Sequence, residues 1–448
     1  MAACRKKQTV TAENAENAEM KSVLEKTKSV FSQICSLRSQ RSPRLTPLLF
    51  VLLLLPAGCS PQPVEVTETR DAMSTQVTVR AIAPTEAVAR RAVAAAWKEM
   101  DLCISCLDRY RKPSEAWLKG DEAARKDPAQ RPSDVWRINH EAGKWNTAVD
   151  PLTATCLAAC REASDLSGGA FDPTVGPIVD LWRAAAEADR LPTDEEIAKA
   201  RSLVGLDKVE ITLPGAPLPS QGADLAPPEP GMPLRQQNAV PMNLVGMAPG
   251  MQLDLGGIAK GYIAGRMAQR MKDAGAVAAL IACSGDIYAF GERPASLAHE
   301  GGETRWIVGV QDPRFPDDRT RLYTRVALRN MGVSTSGHYY RGSTIQGKRY
   351  SHIVDPHTGR PVDLRTAGIT VVSLDPAIGD ALATAIAVMG AEKGVAMVDQ
   401  LTGAECLVLE AKLKEGQSIG PDGAPPPDAE LVAHRSKGFA AYEVTPAR

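Results

Sequence analysis

The sequence predicts an α+β fold, and three observations lead there. Strand-like and helix-like segments are both present, but they do not alternate in the regular βαβ order that a doubly wound parallel sheet requires. Four β-rich runs, 277–282, 306–310, 322–328 and 367–373, follow one another with no helical pattern between them. The chain has 448 residues, 44% of them hydrophobic, which suffices for a sizeable core in one large domain or two smaller ones. Lysine plus arginine number 52 and Asp plus Glu 53, a net charge of −1 that offers no basic surface to a nucleic acid.

The N-terminal part reads as an export signal over 1–58. Arg38, Arg41 and Arg44 precede an apolar run, 48–55, that is too short to span a bilayer as a helix. Pro56-Ala57-Gly58-Cys59 then places small residues before a cysteine, as in a lipoprotein signal, so Cys59 is expected to be acylated and to become the mature N-terminus. The stretch 1–37 is long for such a leader and points to a start at or after Met20. Residues 59–72 are polar, contain proline and read as a tether.

From 74 to 82 the alternation of Val77 and Val79 predicts a strand. A helix follows over 84–107, with Val88, Ala92, Ala96, Cys103 and Cys106 on one face. Residues 114–132 are charged and proline-bearing, and read as a surface insertion. A second helix has Asp150 as its cap, Pro151 in its first turn and Gly168 past its end, and carries Cys156 and Cys160. These cysteines are read as small residues packing two helices, with or without a disulfide, in preference to a four-cysteine zinc or iron–sulfur site. Two further insertions, 214–241 and 416–428, are rich in proline and glycine.

The stretch 253–262, Leu-Asp-Leu-Gly-Gly-Ile-Ala-Lys-Gly-Tyr, is the densest chemical signal. It reads as a short strand 251–255 ending in Asp254, two glycines, Lys260, and a helix over about 262–274. Glycines allow close approach of the backbone to a ligand, and a helix start offers N–H groups to an anion. The spacing is not that of a Walker A loop. Farther on, a helix over about 377–389 places Asp380 and Thr384, four apart, on one face. A carboxylate and a hydroxyl suit Mg²⁺; the alternative is an acid favouring a helix N-terminus beside an exposed threonine. A last helix is expected near 393–401, and 432–444 closes the domain.

Four blocks occur in order: Gly168-Gly169-Ala170-Phe171-Asp172-Pro173-Thr174, the glycine stretch around Asp254 and Lys260, Tyr350-Ser351-His352-Ile353-Val354-Asp355-Pro356, and Asp380-Ala381-Leu382-Ala383-Thr384. Together they resemble the ApbE-type FAD:protein FMN transferases, over residues 73–448. The resemblance implies one compact catalytic domain, with mixed and antiparallel sheets flanked by helices. It implies that FAD is a substrate bound by Met73, Tyr110, Ala170, Phe171, Asp172, Asp254, Lys260 and Val354, with Tyr110 against the flavin ring. It implies Mg²⁺ held by Asp380, Thr384 and the carbonyl of Gly257. The partner it implies is an exported acceptor protein, flavinylated on Ser or Thr, with AMP released. Ser74 and Ser284 stand where the family pattern has glycine, in Met73-Ser74-Thr75 and Ser284-Gly285-Asp286. His352 could take the acceptor's proton or orient its loop by hydrogen bonding. An FAD pyrophosphatase would use nearly the same residues, and a non-catalytic flavin-binding lipoprotein is a further alternative.

Overall fold

A computed structural model describes residues 62–444, apart from 145, 213–242 and 338–341. The expected leader, Cys59 and the insertion 214–241 therefore lie outside the described residues. The fold is built on an eight-stranded sheet whose spatial order is its sequence order. Its strands are β1 (Val64–Ala72), β2 (Thr75–Ala83), β3 (Ala278–Cys283), β4 (Asp286–Phe290), β5 (Met331–Gly337), β6 (Thr366–Ser373), β7 (Ala404–Lys412) and β8 (Glu430–Arg435). Every neighbouring pair is antiparallel. This is the α+β architecture that the missing βαβ alternation predicts.

The first strand corrects the sequence reading. Residues 64–72 were expected to be part of a tether, because their charges leave no apolar run. They form β1 instead, paired along its whole length with β2 from Val64↔Ala83 to Ala72↔Thr75. An edge strand needs few apolar side chains, since its partner strand supplies the hydrogen bonds. The two-residue turn is Met73-Ser74, with φ of 51° and 58°, the double left-handed geometry of a type I′ hairpin.

Helices of the main core cover one face of the sheet, and among the described residues eight helices have eight or more residues. They are α1 (Glu86–Leu107), α2 (Asp134–Glu141), α3 (Pro151–Leu166), α4 (Gly176–Glu187), α5 (Asp194–Ser202), α6 (Ala259–Asp273), α7 (Pro376–Met389) and α8 (Ala391–Val398). The caps follow the sequence: Thr85 opens α1, and Asp150 with Pro151 opens α3. Trp97, Leu157, Ile263, Met267 and Leu382 meet Val77, Val79 and Ile281 of the sheet in the main core. On the opposite face, a hairpin of Trp306–Gln311 and Leu322–Leu328 packs on Ile82, Ala289 and Val372. A satellite cluster joins α4 and α5 to the hairpin Gly342–Ile345/Lys348–Ser351 through Ile178, Trp182, Ile197 and Ile345.

The two described insertions are closed locally. Within 114–132, two four- to five-residue helices are capped by Ser114 and Asp121, and Ser114 N donates to Gln130 O at the base. In 416–428, Gln417 and Lys414 bond Asp428 across the loop mouth. Cys103, Cys106, Cys156, Cys160, Cys283 and Cys406 are all buried free thiols, and no metal-binding group of three or more His, Cys, Asp or Glu occurs among the described residues. Burial pushes the Cys103 thiol up to about 12. Cys103, Cys106, Cys156 and Cys160 all lie in the main core, where the packing reading expects them.

Candidate active site

The expected strand 251–255 is not one. The segment is extended but carries only a parallel bridge, Gln252 to Val175, and it is held by side chains and loops instead. Asn139, from α2, holds the backbone of one residue on both sides: its Nδ2 donates to Leu253 O at 3.0 Å and its Oδ1 accepts from Leu253 N at 2.7 Å. Asp254 N donates to Pro173 O at 2.7 Å. The helix α6 then begins at Ala259 rather than Tyr262, which puts Lys260 in its first turn.

Its glycines serve a packing purpose. A Cβ on Gly261 would lie 2.0 Å from Pro376 O, and one on Gly257 would lie 2.8 Å from Thr384 Oγ1. The start of α6 is thus pressed directly onto α7. Gly261 N donates to Asp380 Oδ2 at 3.0 Å, so the helix start does receive an anion, and that anion is the carboxylate of α7. Thr384 Oγ1 donates to Gly257 O at 3.5 Å. Asp380, Thr384 and Gly257 O, named in advance as a metal set, are therefore brought together.

Lys260 does not project alone toward a ligand. Its Nζ lies 2.9 Å from Asp286 Oδ2 and 3.4 Å from Asp380 Oδ2. Both acid side chains are only 4% exposed. Burial pushes the Asp380 carboxyl up, the charge of Asp286 adds to this, and Lys260 with the Gly261 N–H opposes it. The motif Ser284-Gly285-Asp286 does not by itself mark Asp286 for chemistry. The signal that could have found it is its place right after a turn, where a strand begins facing the glycine stretch.

The first block meets the glycine stretch, and the chain just after the third block lies beside the first. Phe171, buried, lies 3.4 Å from the Cβ position of Gly257, and a Cβ on Gly169 would lie 3.6 Å from the ring of His357. Ala170 is buried beside Phe171. Asp172 is committed to its own loop: one oxygen accepts from Thr174 N and Oγ1, the other from Leu206 N. Burial raises its pKa, and these hydrogen bonds oppose the rise. Val354 is buried and bridges to Pro361, while His352 is exposed just beyond the strand Lys348–Ser351. Met73 packs on the main core at the β1–β2 turn. The pairing Val77↔Cys283 puts that turn at the same sheet end as Asp286.

At the other end of the glycine stretch sits Arg109, which the sequence reading passed over. It is 7% exposed, with Nη1 2.7 Å from Asp254 and Nη2 2.8 Å from Asp180. Nη2 also donates to Gln252 at 2.7 Å. Burial would lower its pKa, but the charges of Asp254 and Asp180 outweigh that and raise it. Asp254 is thereby fixed by an ion pair. Tyr110 is 55% exposed, with Arg109 and Arg183 over its ring at 5.3 and 5.4 Å. It opens on a cavity of about 250 Å³ lined by Arg109, Lys112, Trp136, Asn139 and Arg183. Trp136 stacks on His140 with ring centroids 4.6 Å apart.

The profile of the ApbE family matches residues 73–408, three quarters of the sequence. The chain belongs to the ApbE family. It is similar to an FAD:protein FMN transferase of Klebsiella pneumoniae, 30% identical over 268 residues, covering 60% of this chain and 72% of the relative. A protein of the same name from Treponema pallidum is 29% identical over 276 residues, 61% of this chain and 69% of the relative. Among solved structures, the apbe protein from Thermotoga maritima aligns with a TM-score of 0.59 at 26% identity, over 86% of this chain and all of the other. The apo flavinyl transferase ApbE of Pseudomonas stutzeri shares the fold, with a TM-score of 0.61 at 24% identity, over 86% of this chain and 99% of the other. This ApbE-family chain is an enzyme of the flavin-transferase type, and the α+β fold agrees with both structures.

Proposed function

We propose that this chain transfers the FMN part of FAD to a Ser or Thr hydroxyl of an exported protein, releasing AMP, with Mg²⁺ as its metal. The observation that carries this reading is the convergence of Gly257, Lys260, Asp380 and Thr384, supplied by two chain segments about 120 residues apart and pressed together by glycines. The donors there are hard oxygens: a carboxylate, a hydroxyl and a carbonyl. Mg²⁺ takes one or two carboxylates and completes its shell with water and substrate phosphate, so a full protein cage is not needed. When bound, it would neutralise charge on the phosphoryl oxygens.

The chain's own residues account for the rest. Asp380, Thr384 and Gly257 O would hold the metal beside the pyrophosphate. Lys260 supplies a cation at the same place. Tyr110, braced by Arg109 and Arg183, offers a half-exposed aromatic face for the flavin ring. The acceptor hydroxyl oxygen bonds to the FMN-side phosphorus as the bond from that phosphorus to the bridging oxygen breaks. AMP leaves with that oxygen, and the hydroxyl proton passes to a base, for which exposed His352 is the candidate. A docked acceptor is favoured over water by proximity.

The test is incubation with FAD and Mg²⁺, with and without co-expressed exported proteins, read by AMP release and by flavin fluorescence on a denaturing gel. AMP in step with protein-bound flavin supports transfer. Equal AMP release without acceptor, and no bound flavin, makes the protein a pyrophosphatase; bound yellow flavin with no AMP makes it a carrier. The order of arginines, apolar run and small residues before Cys59 supports a lipid-anchored protein facing the extracytoplasmic side. Cys59→Ala should abolish membrane fractionation, and a processed variant still on membranes would overturn that part.

A further inference from the structure

Two buried carboxylates compete for one lysine. Lys260 Nζ stands 2.9 Å from Asp286 Oδ2 and 3.4 Å from each oxygen of Asp380. Asp380 has a second donor, Gly261 N at 3.0 Å, and sits on α7. Asp286 sits on the sheet, where its backbone pairs with Cys283 on one side and Ser334 on the other. Its position is therefore fixed by ladders on both flanks, independently of α7. The lysine bridges a rigid sheet carboxylate and a helix carboxylate that is expected to change its charge environment.

A divalent cation at Asp380 would meet the ammonium at close range. In a buried, weakly screened site that repulsion is large. The ammonium has to retreat, and the nearer carboxylate, Asp286, is where it can go without losing its counter-charge. We propose that Asp286 is a positioning residue: it draws Lys260 off Asp380, leaving that carboxylate open to the cation while the ammonium stays beside the pyrophosphate. Without it, Lys260 would pair with Asp380 alone and act as a built-in competitor of the metal. The inference rests on the Mg²⁺ reading above.

The experiment is a calorimetric titration of Mn²⁺ into the full chain saturated with ADP, against an ADP blank, in a double-mutant cycle. Asp286→Asn should weaken Mn²⁺ binding by about tenfold or more, the scale of losing a group that orients a metal ligand. Lys260→Met should bind Mn²⁺ at least as tightly as the native chain. Adding Asp286→Asn to Lys260→Met should cause no further loss. Native-like affinity in Asp286→Asn overturns the proposal, as does weakened binding in Lys260→Met. A loss that persists in the double variant overturns it too, because Asp286 would then act on the ion directly. A native chain that binds no Mn²⁺ removes the metal reading itself, whereas native binding with no effect of Asp286 removes only this inference.

Discussion

The glycine stretch joins two ends built on opposite lines. At the α7 end, Lys260, Asp286 and Asp380 are buried, their charges share one another, and glycines hold two helices in backbone contact. At the Tyr110 end, the aromatic face is half exposed and opens on a cavity, and the arginine behind it is the buried element. A reacting phosphate needs fixed charge at fixed distance, which only a closed, preorganised setting provides. A planar ring needs a flat surface and a way in. In the proposed reaction the difference would divide the work: transition-state charge at the closed end, binding of the bulky group at the open one.

Substitutions can break that division or sharpen it. Asp380→Ala removes the closed end's carboxylate and should lower kcat/KM by about a thousandfold, the upper range for losing an electrostatic stabiliser. Flavin binding in the absence of metal, read by fluorescence quenching, should persist. A native Mg²⁺ response in this variant would contradict the division outright. Arg109→Met comes next. It strands Asp254 without its cation, while Asp180 keeps Arg183, and should cost about 2 kcal/mol of stability in urea unfolding, the scale of hydrogen bonds to a charged group. It tests whether the open end has a rigid back wall; an unchanged midpoint would mean that it has none.

The smaller effects separate the ends more finely. Thr384→Ala removes a neutral oxygen that water can replace, so the Mg²⁺ concentration for half-maximal rate should rise about tenfold with little change in melting temperature. Tyr110→Ala should weaken FAD binding about fivefold, a loss of aromatic contact, and leave Mg²⁺ dependence unaltered. A shift in Mg²⁺ dependence there would show that the two ends are coupled. Because the side chain is 55% exposed, its removal should not move the melting temperature.

Much of this was legible in the sequence where a residue's role is local. Asp150-Pro151 and the i, i+4 pair Asp380/Thr384 fix caps and a helix face by rules that need no partner. The start of α6 was misplaced because glycines at 256, 257 and 261 read as loop, whereas two of them mark a helix crossing. The sequence reading does not name β1, β4, β5 or β7: β7 interrupts its apolar run with Glu405 and Glu410, β5 is rich in glycine and serine, and β1 spaces Glu65, Glu68, Arg70 and Asp71 along its length. Asp286 and Arg109 were not singled out because their partners are 26 to 145 residues away, and spacing alone carries no sign of such pairs.

The six buried thiols of the domain give the structure a property of another kind. None is cross-linked, and desolvation keeps Cys103, Cys283 and Cys406 protonated, with thiols pushed up to about 12. A sealed thiol is a poor nucleophile and a poor target for oxidants. In the described domain, reagents that modify thiols should therefore react only as the fold opens, so that thiol labelling reports unfolding.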